Sequence, residues 1–165
     1  MSNYTIVSSV NELQTGDHIS WPALISCDKS VEHHAIVVAQ QGGNKTKLIH
    51  VILAGLRESG ASRALATDSI CGSNKARAAA DPKVVEQIHD FTKELKDGSL
   101  RRYVYAPGSC NEPVEVVEYA RSHLGKYDFN LYKNNCESFA RLCKTGNKKS
   151  YQAEAAKNNS SCVCL

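Results

Sequence analysis

The chain has 165 residues, 42% of them hydrophobic and 22% charged, and a net charge of +3. That length makes a single domain able to bury a core without covalent staples, and the charge is too mild to argue for nucleic acid as a partner. Met1 to Val10 lacks the apolar segment of a signal peptide, and no run approaches the roughly 18 apolar residues of a membrane span.

In chain order, Gly16-Asp17 signals a turn, and His18-Ile19-Ser20-Trp21 reads as a short strand. Val31 to Gln41 is the first strong signal. Its β-branched run Ala35-Ile36-Val37-Val38-Ala39 ends at Gly42-Gly43-Asn44. Thr46 to Leu53 is a second such run, so the two predict a β-hairpin. His33 and His34 open its first strand, and His50 lies midway along its second. Ala54 to Ala80, rich in Ala, Gly and Ser, predicts a long loop of the kind that serves as a lid or binding segment. Lys83 to Gln87 reads as a strand, His89 to Lys96 as a short helix closed by Asp97-Gly98, and Arg101 to Tyr105 as another strand. Asn111 to Leu124 is the clearest helix, with Asn111 as its cap and Val116, Val117, Ala120 and Leu124 as its apolar face. Cys136 to Lys144 predicts a second helix, ended by Gly146. The expected organisation is one domain over 1–146 and a flexible polar tail over 147–165.

Seven cysteines, an odd number, without an export signal favour free thiols in the cytoplasm over a disulfide framework. The absence of any Cys-x-x-Cys pair argues against structural zinc. Asn134-Asn135 is a strong helix-starting pair and places Cys136 in the first turn. A thiol there meets the positive end of the helix dipole and unpaired N–H groups, which lower its pKa and can hold an oxyanion. Position alone equally allows Cys136 to be one of seven ordinary buried cysteines.

A cysteine nucleophile needs a base and a group to orient it. His18, His89 and His123 fall in segments that suggest surface or incidental roles. His33, His34 and His50 cluster on the hairpin, and alternation lets only one of the adjacent pair share a face with His50. A metal held by two histidines and Cys136 finds no supporting fourth ligand.

The runs Glu32-His33-His34-Ala35-Ile36-Val37-Val38, Leu48-Ile49-His50-Val51 and Asn135-Cys136-Glu137-Ser138-Phe139, in that order, resemble the lecithin retinol acyltransferase family. Gly16-Asp17-His18-Ile19 resembles the family's opening, and the likeness runs from about Leu13 to Gly146. The resemblance implies an α+β, circularly permuted papain-like (NlpC-like) fold, with a small antiparallel sheet packed against the nucleophile helix. It makes Cys136 the nucleophile, His33 the general base and His50 the residue that orients the base. Asn135 would support the oxyanion, and His34 would be a packing or substrate-wall residue. The implied chemistry is acyl transfer or phospholipase A action on glycerophospholipid esters through a thioester, without a cofactor. A cysteine peptidase or amidase of the same fold, or an inactive binding module, remain alternatives. Val37 and Ser138 depart from the family's frequent Tyr and His without removing a catalytic group.

The ending Cys162-Val163-Cys164-Leu165 fits a prenylation box on Cys162, with Lys144, Lys148, Lys149 and Lys157 as basic support for a membrane surface. The partners expected are therefore an acyl-lipid substrate and a membrane surface, not nucleic acid.

Overall fold

Short β-branched runs broken by glycine favour strands joined by tight turns. Strands dominate the computed structural model, which describes residues 3–25, 29–54, 81–128, 134–148, 150, 151 and 154. The elements are β1 (Asn3–Ile6), β2 (His18–Ile25), β3 (Lys29–Gln40), β4 (Lys45–Ala54), β5 (Asp81–Asp90), α1 (Thr92–Lys96), β6 (Arg101–Val104), α2 (Pro113–Arg121), β7 (Gly125–Lys126) and α3 (Cys136–Thr145). The described strands form one sheet in the order β1-β6-β2-β3-β4-β5-β7, and neighbours pair antiparallel throughout. The protein is α+β, as expected. The stretch 55–80, anticipated as a loop, lies outside the described residues, as does Cys162.

The expected hairpin is β3–β4. Gln41 donates its N–H to the Lys45 carbonyl at 2.9 Å, and Gly42 and Gly43 take φ angles of 83° and 57° at the reversal. Ala35 pairs with His50 and Ile36 with Ile49, before a register shift between Val37 and Ala39.

Alternation then sorts the side chains onto two faces. Ile36, Val38, Ile49, Val51 and Val84 pack on Val116, Val117 and Ala120 of α2 and on Cys136, Phe139, Ala140 and Cys143 of α3. Ala35, Val37 and Leu48 point the other way, onto Ile19, Trp21, Phe91 and Leu100. The two clusters sandwich the hairpin, so its strands are buried on both sides.

Local reading erred where a long-range partner was at stake. Asn111 does not cap α2. Glu112 does, in a capping box with Glu115, and Pro113 opens the helix. Asn111 instead donates its N–H to the Lys144 carbonyl at 2.9 Å and its amide to the Cys143 carbonyl at 3.2 Å, closing the end of α3. Leu124 lies beyond α2 and is 46% exposed, so it is not part of the buried face. His89 belongs to β5, and the short helix begins at Thr92. Ser150, assigned to the tail, is buried against α3.

Gly16 shows how tightly α2 is docked. It sits at φ +81°, and a Cβ there would lie 2.8 Å from Pro113 Cα. Both the backbone conformation and the contact exclude a side chain. Gly16→Ala is expected to cost about 2–4 kcal/mol, combining left-handed strain with backbone overlap. Thermal unfolding checks this, and an unchanged midpoint would refute the close approach.

Candidate active site

Asn135 starts α3 as the sequence leads one to expect. Its Oδ1 accepts the Ser138 N–H at 2.9 Å, and its carbonyl accepts the Phe139 N–H at 3.0 Å and the Ser138 hydroxyl at 2.8 Å. Cys136 is therefore the first residue of the helix. It is 8% exposed, and its thiol donates to the Glu32 carbonyl of β3 at 3.8 Å. The helix thus seats the sulfur on the strand backbone at the residue before His33.

Burial decides the state of this thiol. It pushes the pKa up to about 11, and the Glu137 carboxylate pushes in the same direction. The backbone N–H groups of His34, Glu137 and Cys136 pull the other way and lose. The helix dipole was expected to lower this pKa. The thiol is buried among apolar side chains, and desolvation of a thiolate outweighs a partial charge and a few N–H groups. Cys136 rests as a neutral thiol.

His33 and His50 meet as expected, with Nε2 of His33 and Nδ1 of His50 2.6 Å apart. Their side chains leave the sheet on the Ala35 face, where Trp21 meets the His33 ring edge-on at 4.8 Å and lies 6.3 Å from His50. The His89 ring lies tilted against Trp21 at 4.9 Å. Burial, then the neighbouring histidines, hold His33 well below the usual imidazole pKa, and burial with His89 lowers His50 to about 3. Both rings are neutral at pH 7. The outer nitrogens, His33 Nδ1 and His50 Nε2, are buried without a hydrogen-bond partner.

The thiol and the His33 ring are not hydrogen-bonded in this structure. They approach β3 from opposite faces, and what they share is the backbone between Glu32 and His34. The unpartnered His33 Nδ1 is the ring nitrogen nearer that backbone.

His34 points to the helix face and is buried. Its Nδ1 lies 2.9 Å from His18 Nε2, and His18 Nδ1 lies 2.6 Å from the Tyr105 hydroxyl. It sits within a polar pair with His18 and is 1% exposed. His18, expected at the surface, is fully buried. Burial lowers His18 well below the usual value and His34 to about 4, although Glu137 opposes the shift at His34. His89 is likewise buried. Parity could have placed His18 and His34 on one face, because Ser20 pairs with His34 in the β2–β3 register.

Glu32, Ser20 and Arg101 brace the same stretch of β3. The Ser20 hydroxyl donates to Glu32 Oε2 at 2.8 Å, and Arg101 Nη1 to Oε1 at 2.7 Å. The group bonded to the thiol is thus the main chain of a residue whose side chain is itself anchored.

A family model described as lecithin retinol acyltransferase matches residues 11–149. The chain belongs to the lecithin retinol acyltransferase family. Comparison with curated proteins and with solved structures gave no significant match. The matched span contains every side chain described above for the candidate site. Membership of the lecithin retinol acyltransferase family brings acyltransferase or phospholipase-type activity on lipid substrates. No described helix is long and apolar enough to cross a membrane, and no cluster of three or more metal-ligating side chains occurs among the described residues.

Proposed function

We propose that this chain is a thiol-dependent acyltransferase or phospholipase A that takes acyl groups from glycerophospholipid esters through a thioester on Cys136. The observation that carries the reading is the buried His33–His50 pair beside the strand backbone on which the Cys136 thiol rests. The histidine strands precede the cysteine helix in the chain, which supports a circularly permuted papain-like arrangement.

With a proton on His33 Nε2 shared toward His50 Nδ1, His33 Nδ1 keeps its lone pair. The reading requires the Glu32–His33 stretch of β3 to shift so that this nitrogen comes within reach of the thiol, which then gives up its proton to it as sulfur attacks the ester carbonyl. The carbon–sulfur bond forms, the bond to the glycerol oxygen breaks, and His33 returns the proton to the leaving alcohol. Water, an alcohol or an amine then takes the acyl group and restores the thiol. A neutral resting thiol fits this order, because the proton moves during attack. Backbone N–H groups at the start of α3 stand where the oxyanion develops, and Asn135 serves by holding that helical turn. Prenylation at Cys162 would add membrane affinity, though one chain anchors only marginally.

A second reading, a binding module without turnover, draws on the neutral thiol held by the Glu32 carbonyl. Intact-protein mass spectrometry after incubation with phosphatidylcholine vesicles separates the two. The enzyme reading predicts a mass increase of one acyl chain that hydroxylamine removes, absent in Cys136→Ala and strongly reduced in His33→Ala. No adduct and no fatty acid release from the folded protein would sink it, and turnover of peptide amides instead would favour a peptidase on the same fold.

A further inference from the structure

The residues on either side of Cys136 are held by one hydroxyl far along the chain. Asn135 Nδ2 donates to Ser150 Oγ at 3.0 Å, and Ser150 Oγ donates to Glu137 Oε2 at 2.8 Å. All three residues are buried. Glu137 is also bound by Arg141 Nε at 3.1 Å, and the Arg141 guanidinium lies over the Tyr151 ring at 4.6 Å. The segment after α3 therefore folds back onto the first turn of the same helix.

We propose that Ser150 is a positioning residue for the nucleophile, clamping the two residues that flank Cys136. The proposal rests on Cys136 being the nucleophile, but its geometry does not depend on which ester is attacked.

Two consequences follow from the contacts. First, the N-cap that places Cys136 at the helix start depends on the orientation of the Asn135 amide, and Ser150 takes one of its N–H groups. Second, the Ser150 hydroxyl satisfies part of the Glu137 carboxylate, whose field acts on the adjacent thiol. His34 from β3, Tyr103 from β6, Tyr105 just beyond it and Arg141 from α3 also lie within the field of Glu137 or beside it. Tyr127 is within the electrostatic reach of the Cys143 and Cys136 thiols. Removing the hydroxyl loosens the first turn and leaves the negative charge of Glu137 less compensated beside the sulfur. Both effects disfavour the thiolate.

The test compares the wild type with Ser150→Ala and Ser150→Thr. Site-resolved iodoacetamide labelling of Cys136 across pH reads the thiol without requiring turnover, and acyl release from phosphatidylcholine vesicles reads function. Near-UV circular dichroism checks folding. In Ser150→Ala the Cys136 labelling profile is expected to move upward by about half to one pH unit, and kcat to fall about tenfold with KM little changed. Ser150→Thr keeps the hydroxyl and is expected to restore both. A folded Ser150→Ala whose labelling profile overlays the wild type overturns the proposal, since a purely structural serine would lower only stability. If Ser150→Ala does not fold, the threonine variant decides, and a shifted profile in folded Ser150→Thr, despite its hydroxyl, counts against the clamp. A Cys136→Ala protein that still turns over lipid would instead refute the nucleophile assignment, while the labelling result would stand apart from it.

Discussion

Cys136→Ala is expected to reduce acyl release from phospholipid by about four orders of magnitude, to the background of vesicles alone. No other described thiol can stand in for it. Cys143 is buried two helical turns further on, and its pKa is pushed up to about 12 by burial. Cys110 is half-buried beyond β6, before α2. The loss will be chemical and not structural, because removing one sulfur from the cluster of Ile36, Ile49 and Phe139 costs only about 1 kcal/mol. Cys136→Ser makes a sharper companion. It keeps the volume, but the alkoxide is far harder to form than the thiolate, and no carboxylate among the described residues hydrogen-bonds the His33–His50 pair. Acyl release measured with equal amounts of folded protein checks both. Activity within a few fold of wild type in either variant would end the thioester mechanism.

Acidification is expected to unfold this protein between about pH 6 and pH 4. Five histidines, His18, His33, His34, His50 and His89, are buried, and burial lowers the pKa of each. Burial holds His18 and His33 well below the ordinary value, His34 at about 4 and His50 at about 3. In the unfolded chain each titrates near 6.5. Between 6.5 and the lowered folded values the unfolded state binds more protons, so stability is complete above pH 6.5 and is lost as pH falls. Each histidine adds up to about 1.4 kcal/mol per pH unit to that slope. Together they can consume a typical domain stability of roughly 5–15 kcal/mol within about two to three units. Urea midpoints at pH 7.5, 6.5, 5.5 and 4.5 provide the measurement. The midpoint should be highest at pH 7.5 and fall steeply below 6.5. A flat midpoint from pH 7 to pH 5 would show that the buried imidazoles accept protons without cost. His34→Gln should flatten the slope by about one proton's worth, since glutamine carries no titration.

The two results bear on one design. The hairpin is buried on both faces, so its histidines are desolvated wherever they point. That keeps His33 neutral at physiological pH, as the proposed base role requires, and it is expected to make the fold intolerant of acid. The same desolvation keeps Cys136 a neutral thiol.

What the sequence determined by itself was local and periodic. The β-branched runs and Gly42-Gly43 specify the β3–β4 hairpin, because branching and glycine act within a few residues. The period of two restricts His50 to one of His33 and His34. Asn135 and Gly146 bound α3, because caps are satisfied within one turn. The ordered histidine and cysteine motifs were enough to reach the family. Only the tertiary structure decided which neighbours complete each polar group and how much water each one loses. Asn111 looked like a cap but closes the end of another helix. His18 looked superficial but lies buried against His34 and Tyr105. Ser150 carried no signal at all, since its partners Asn135 and Glu137 lie 15 and 13 residues away. The thiol pKa reversed for the same reason. A helix dipole can be read from position, whereas desolvation is a property of everything packed around the sulfur.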